Sequence, residues 1–350
     1  MEKMAYFLGV DGGATKTLAV VGDATGRILG TGRAGPSNHQ IVGLDVAMFS
    51  VGAAIRKALA EAGVAAPAPG LAPGAVAERA VFGLAGADFP VDFERLSGAE
   101  GCAQLMGGQP FRVVNDCWIA LRGGTKRGYG VVAINGTGAN TAGRNSRGEQ
   151  KILRGMGYEF GNRGGGADVI KEALHWAFRA EEGTGPATSL VDEVPKAVGL
   201  ASMAAVAEAM YGGQASPAMA MPIVPLVFRL ANAGDRVCQD ILVRLGDAMG
   251  AAAGGVARGL GMGDEEFDVV LAGSVWLGES PLMRDQFTLA LHREAPRAHP
   301  VMPLFSPAVG AYLMALEDAR GEAAVTEEVY ANLAATAGEA LSGAAAAADV

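Results

Sequence analysis

Two glycine-rich turns, each leaving a short apolar run, hold the residues best suited to chemistry. The first reads Asp11-Gly12-Gly13-Ala14-Thr15-Lys16 and the second Asn135-Gly136-Thr137-Gly138-Ala139-Asn140. Glycine leaves backbone N–H groups uncovered and a neighbouring threonine adds a hydroxyl, so such a turn suits phosphate oxygens. Two turns facing one another could clamp a triphosphate. Asp11 would then hold Mg2+, through water, because magnesium favours carboxylate and phosphate oxygens. The plainer reading is two hairpin tips, and the repetition with an acidic or amide residue in first place weighs against it. Lys16 either meets a phosphate or stays solvated.

The elements around these turns repeat. Strands are expected over 5–10 and 17–21, then a polar turn and the apolar pair Ile28-Leu29; a strand over 130–134, a polar turn over 144–150 and Ile152-Leu153 follow the same plan one domain length later. After the first meander come a helix over 44–61, with Val51, Ile55, Ala58 and Leu59 at helical spacing, and strands over 80–84 and 111–114, the latter ending in Asn115-Asp116. After the second come helices over 167–181 and 235–260 with Pro-rich helical sequence between them, strands over 267–271 and 301–305, and a helix over 308–319. The order βββαβαβ twice, with a helical insertion in the second copy, predicts two α/β domains facing a cleft. Residues 65–74 read as a Pro/Ala/Gly surface loop and 344–350 as a frayed end.

Composition narrows the classes. The chain has 350 residues, 52 of them glycine, is half hydrophobic and carries a net charge of −9. That length accommodates two domains, and the acidic balance with no Lys/Arg stripe leaves no surface for nucleic acid. The stretch over 209–228 has the length of a membrane span, but Gly212, Gly213, Pro217, Pro222 and Pro225 break it. Cys102, Cys117 and Cys238 form no CxxC pair, which fits a reducing cytoplasm, and the four histidines lack metal-ligand spacing. There is no GxxxxGK[ST] loop; Gly30-Thr31-Gly32-Arg33-Ala34-Gly35 matches GxGxxG but runs into Pro36-Ser37 instead of opening a helix.

Taken in order, Phe7-Leu8-Gly9-Val10-Asp11-Gly12-Gly13-Ala14-Thr15-Lys16-Thr17, Pro36-Ser37-Asn38, Val113-Val114-Asn115-Asp116, Asn135 to Asn140 and Leu271-Ala272-Gly273-Ser274-Val275 resemble the BadF/BadG/BcrA/BcrD ATPase family, and within it the N-acetylglucosamine kinases. The resemblance implies two RNase H-like domains of the actin/hexokinase/Hsp70 type around an ATP cleft, divided as 1–117 and 118–350. It implies ATP-dependent phosphorylation of an amino sugar or related hexose, N-acetylglucosamine or glucosamine first. It makes Gly12, Gly13, Thr15 and Lys16, with Gly136, Thr137 and Gly138, the phosphate-binding groups, Gly273 and Ser274 part of the adenosine wall, and Asn38, Asn140, Gly155 and Asn162 sugar ligands. Asp116 becomes the general base, with N-capping of the following short helix as its plainer role. The expected cofactors are ATP and Mg2+. The expected partner is a small-molecule sugar, without nucleic acid or membrane, and a homodimer is left open. One departure stands out, because Asn162 occupies a place where the family carries a carboxylate and Met156 one where an aromatic residue is found. The other activity met in the family, an ATPase driving electron transfer to a dehydratase or reductase, uses cysteines around an iron–sulfur cluster, and the three cysteines here lack the matching glycine-flanked setting.

Overall fold

The computed structural model describes residues 5–64 and 72–338. The expected frayed end over 344–350 lies outside them, as does the loop over 65–74 except for its last three residues. In chain order the described residues form β1 (Phe7–Gly12), β2 (Thr17–Gly22), β3 (Ile28–Ala34), α1 (His39–Val42), α2 (Leu44–Glu61), β4 (Arg79–Leu84), α3 (Pro90–Ser97), α4 (Ala103–Met106), β5 (Phe111–Asn115) and α5 (Asp116–Gly124). Next come β6 (Gly130–Asn135), β7 (Ala139–Arg144), β8 (Gln150–Ile152), α6 (Gly165–Glu181), α7 (Leu190–Ala197), α8 (Met203–Tyr211), α9 (Pro217–Ala220), α10 (Ile223–Asn232) and α11 (Arg236–Gly259). β9 (Phe267–Ala272), α12 (Leu282–His292), β10 (Ala298–Val301), α13 (Pro307–Arg320) and α14 (Glu327–Thr336) complete the set.

The duplication read from the sequence is a duplication of topology. One five-stranded sheet runs β3-β2-β1-β4-β5, and the other, taken from its far edge, runs β8-β7-β6-β9-β10. In the first, β1 pairs antiparallel with β2 and parallel with β4, which pairs parallel with β5. In the second, β6 pairs parallel with β9 and β7 antiparallel with β8. Helices α6 to α10 form the expected insertion.

The chain does not divide at residue 117. Among the described residues, one compact unit draws on those up to Gly130 together with those from Val301 onward, and the other on Val131–Pro300. The reason lies in α13, which packs on β1 and α5 of the first unit. Strand β1 alternates, with Leu8 and Val10 buried against Val51 and Ile55 of α2 on one face and Phe7 buried with Val309, Tyr312 and Leu313 of α13 on the other. Gly9 makes that second layer fit, since a Cβ there would lie 2.3 Å from the Tyr312 nitrogen. Gly310 plays the same part toward α5, where a Cβ would strike the carbonyl of Ile119.

Other local departures have plain causes. β1 continues through Asp11 and Gly12 because both still pair, with Leu18 and Thr17 on one side and Gly83 and Leu84 on the other. The strand expected over 301–305 ends at Val301, before Pro303, which cannot donate to a ladder; Leu304 and Phe305 give their amides to Gly124 and Gly123 at 3.2 and 3.0 Å instead. The GxGxxG segment lies on β3, where Cβ atoms on Gly30 and Gly32 would fall 2.2 and 2.0 Å from carbonyl oxygens of α2. Its glycines serve helix-on-sheet packing. The apolar stretch over 209–228 is divided among α8, α9 and α10, and no helix of the described residues is long and apolar enough to cross a membrane.

Candidate active site

In the first unit the parallel strands β1, β4 and β5 end side by side, with Gly12 opposite Leu84 and Leu84 opposite Asn115. Ligands of open α/β sheets bind beyond such carboxyl ends. Asp11 on β1 and Asp116 just past β5 are both half-buried there. Burial pushes the Asp116 carboxyl up to about 7, with the charges of Asp11 and Asp88 adding to it and the backbone amides of Cys117 and Asp116 opposing. Burial likewise lifts Asp11 to about 6, against the pull of the Lys16 ammonium. A carboxylate that titrates near neutrality can take a proton from a hydroxyl at physiological pH.

The capping role considered for Asp116 belongs to its neighbour. Asn115 accepts the Cys117 amide through Oδ1 at 3.0 Å, so Asp116 is the first helical residue of α5 and not the cap. The first glycine turn is held from behind. The Gly13 amide donates to the Lys16 carbonyl at 2.9 Å, and the Gly13 carbonyl accepts the amides of Ser37 and Asn38 at 3.0 and 3.1 Å. Thr17 gives its hydroxyl to the Gly35 carbonyl and meets the buried Ser37 hydroxyl, both at 2.8 Å. A Cβ on Gly12 would lie 2.5 Å from Ser37 Oγ, whereas Thr15 at the tip is exposed. Asn38 spends Oδ1 on capping α1, accepting the Gln40 amide at 3.0 Å, which leaves its amide nitrogen for a ligand.

The second unit builds its turn differently. Asn135 is fully buried, and its Oδ1 accepts the Gly165 amide at 2.7 Å. The amides of Gly166 and Ala167 bond the carbonyls of Gly136 and Thr137 at 2.7 and 3.0 Å, which stitches the turn to the start of α6. Space remains open where Cβ atoms of Gly136 and Gly138 would stand, with nothing within 4 Å. That opening suits an anion approaching backbone amides. Gly273, at φ +106°, lies against the same turn, and half-buried Ser274 follows it into a short 3-10 helix. For Mg2+ the first unit offers Asp11, a carboxylate lifted by burial and opposed by one lysine, and an ion taken up with phosphate and water oxygens matches that donor set.

The sugar candidates of this unit fall into two kinds. Asn140 and Gly155 adjoin, because a Cβ on Gly155 would lie 2.6 Å from Asn140 Cγ, and Asn140 Oδ1 accepts the Thr141 amide at 2.8 Å. Asn162 is 8% exposed, and its Nδ2 donates to the Ala139 carbonyl at 2.7 Å. One of its two amide hydrogens is thus held inside the polypeptide. The three cysteines are all buried, and burial pushes each thiol up, away from the thiolate that a cluster needs.

Sequence reasoning passed over Asp88. It follows β4 as Asp11 and Asp116 attend the ends of β1 and β5, and its carboxylate accepts Asn115 Nδ2 at 3.0 Å. An acidic residue at or within a few residues of the carboxyl end of each of β1, β4 and β5 was the available signal.

The family model described as the BadF/BadG/BcrA/BcrD ATPase family matches residues 8–315. An N-acetyl-D-glucosamine kinase of Dictyostelium discoideum is 27% identical over 89% of this chain and 97% of its own. An N-acetylmuramic acid/N-acetylglucosamine kinase of Clostridium acetobutylicum is 24% identical over 89% and 98%. Among solved structures, a Chromobacterium violaceum protein provisionally named as an N-acetylglucosamine kinase superposes with a TM-score of 0.68 at 25% identity, covering 89% of this chain and 99% of that one.

Proposed function

The chain belongs to the BadF/BadG/BcrA/BcrD ATPase family, and on that footing we propose that it transfers the γ-phosphoryl group of ATP to a hydroxyl of an N-acetylated amino sugar. The observation that supports the reading is the pair Asp11 and Asp116 at the carboxyl ends of β1 and β5, on either side of β4 in one sheet, each lifted toward neutrality. Phosphoryl transfer asks for an aligned hydroxyl and neutralised phosphate charge and for little covalent help from the protein. Asp116 accepts the proton of the attacking hydroxyl, and its place at the start of α5, capped by Asn115, fixes where that proton goes. Asn38 orients the sugar through its amide nitrogen. Thr15 and the Gly12-Gly13 backbone, and separately the Gly136–Gly138 turn, bind phosphate oxygens, and Gly273 with Ser274 borders the second of these turns. Asp11 would hold Mg2+, which when bound offsets phosphate charge.

The substrate class follows the named relatives, two of which act on N-acetylglucosamine and one of them also on N-acetylmuramic acid. A coupled ADP-release assay over N-acetylglucosamine, N-acetylmuramic acid, glucosamine, N-acetylmannosamine and glucose tests activity and substrate together. ADP release dependent on an N-acetylated sugar is expected. Release independent of every sugar, or none at all, would overturn the proposal.

A further inference from the structure

Three segments of the first unit meet at the exposed carboxylate of Asp88. Its Oδ1 accepts Nδ2 of Asn115 at 3.0 Å, and its Oδ2 accepts Nε2 of Gln40 at 3.3 Å. Asn115 is the cap of the helix that opens with Asp116. Gln40 gives its backbone amide to Asn38 Oδ1 at 3.0 Å and its side chain also to the Gly86 carbonyl at 3.1 Å. A second carboxylate ties the same segments from beneath. Asp92 Oδ1 faces His39 Nε2 at 3.1 Å, while Oδ2 accepts the amides of Phe89 and Asp88 at 2.9 and 3.3 Å. Gly86 keeps the turn close, at φ +86° and with room for no Cβ beside Asn38 Oδ1, 2.7 Å away.

An exposed carboxylate is ordinarily solvated, and here both oxygens are taken by side chains of two other segments. We infer that Asp88 is a positioning residue whose two oxygens fix the capped start of the Asp116 helix against the turn bearing Asn38. The consequence for turnover rests on the roles proposed above for Asp116 and Asn38, while the clamp itself does not. Hydrogen bonds to a charged acceptor are worth about twice neutral ones, so loss of this acceptor loosens both partners. A displacement of about 1 Å between base and substrate is enough to cost on the order of 10²-fold in rate.

The test compares Asp88→Ala and Asp88→Asn with the full wild-type chain. Amide hydrogen exchange without ligands is read over 115–119, over 38–42 and, as an internal control, over β4. In Asp88→Ala the first two windows exchange several-fold faster while β4 does not change, and kcat with the active sugar falls roughly 10- to 100-fold with the KM for ATP kept. Asp88→Asn keeps an acceptor for Asn115 Nδ2 but sets an amide nitrogen against Gln40 Nε2, so exchange over 115–119 returns to within a few-fold of wild type while 38–42 stays fast, and kcat lies between those of wild type and Asp88→Ala. Unchanged exchange over 115–119 overturns the clamp, and so does equal acceleration of β4, which marks general loosening. Faster exchange with unaltered kcat overturns the positioning role, and exchange over 115–119 as fast in Asp88→Asn as in Asp88→Ala overturns the Asn115 arm of the clamp. A wild-type chain inactive on every sugar removes the kinase reading, and the exchange data then still decide the clamp.

Discussion

Gly273 lies so close to Asn135 that a Cβ on it would stand 2.5 Å from the Asn135 carbonyl carbon and oxygen, and its φ of +106° already excludes most side chains. The turn that presents Gly136 and Gly138 and the start of the Ser274–Leu277 segment are therefore packed backbone to backbone. Gly273→Ala must distort one of them, at about 1 to 3 kcal/mol for the strained backbone alone. A melting temperature several degrees lower and nucleotide affinity reduced at least tenfold, by calorimetry, are expected. Wild-type values for both would separate this contact from nucleotide binding.

Asp116→Asn keeps the shape and removes the proton acceptor. Turnover should fall by about 10² to 10⁴, the usual worth of a positioned base, while ATP binding is retained. Turnover within a few-fold of wild type would take Asp116 out of the mechanism.

Acidity gives an independent check without substrate. Folding raises the Asp116 carboxyl from the ordinary 3.8 to about 7 and Asp11 to about 6, so between those values the folded chain binds more protons than the unfolded one. Stability from these groups therefore falls as pH climbs from about 4 to about 7. Asp116→Asn should flatten the dependence of melting temperature on pH over that range. The same slope in variant and wild type would show that this carboxyl does not hold its proton.

Thr137→Val leaves the backbone bond from the Ala167 amide to the residue 137 carbonyl in place and deletes only a hydroxyl. Titration calorimetry should show nucleotide binding weakened more than sugar binding. Unaltered nucleotide affinity would reduce the turn to a hairpin.

At Asn162 the outcome concerns stability first. Its Nδ2 donates to the Ala139 carbonyl at 2.7 Å in a buried setting, and a carboxylate there would face that carbonyl without a donor. Asn162→Asp should cost about 1 to 3 kcal/mol, read by denaturant unfolding. A variant as stable as wild type would show that the bond is not made in solution.

Much of this protein was legible in the chain. The paired meanders, the helix at Leu44–Glu61 and strands near residues 7–10 and 111–114 all follow from local periodicity and glycine turns, because neighbours along the sequence write those patterns. The ordered motifs carried the family as well. What sequence alone could not decide were relations between distant segments. That α13 returns to pack on β1 and α5 depends on Gly9 and Gly310 admitting backbone at short range, and no local pattern records which helix will use a glycine. That Asn115 caps the helix while Asp116 does not depends on where β5 stops pairing. Asp88 joins Gln40 to Asn115 across 48 and 27 residues, and Asn162 turns inward to Ala139 across 23. A hydrogen bond needs its partner at about 3 Å, and only the folded chain brings those partners together.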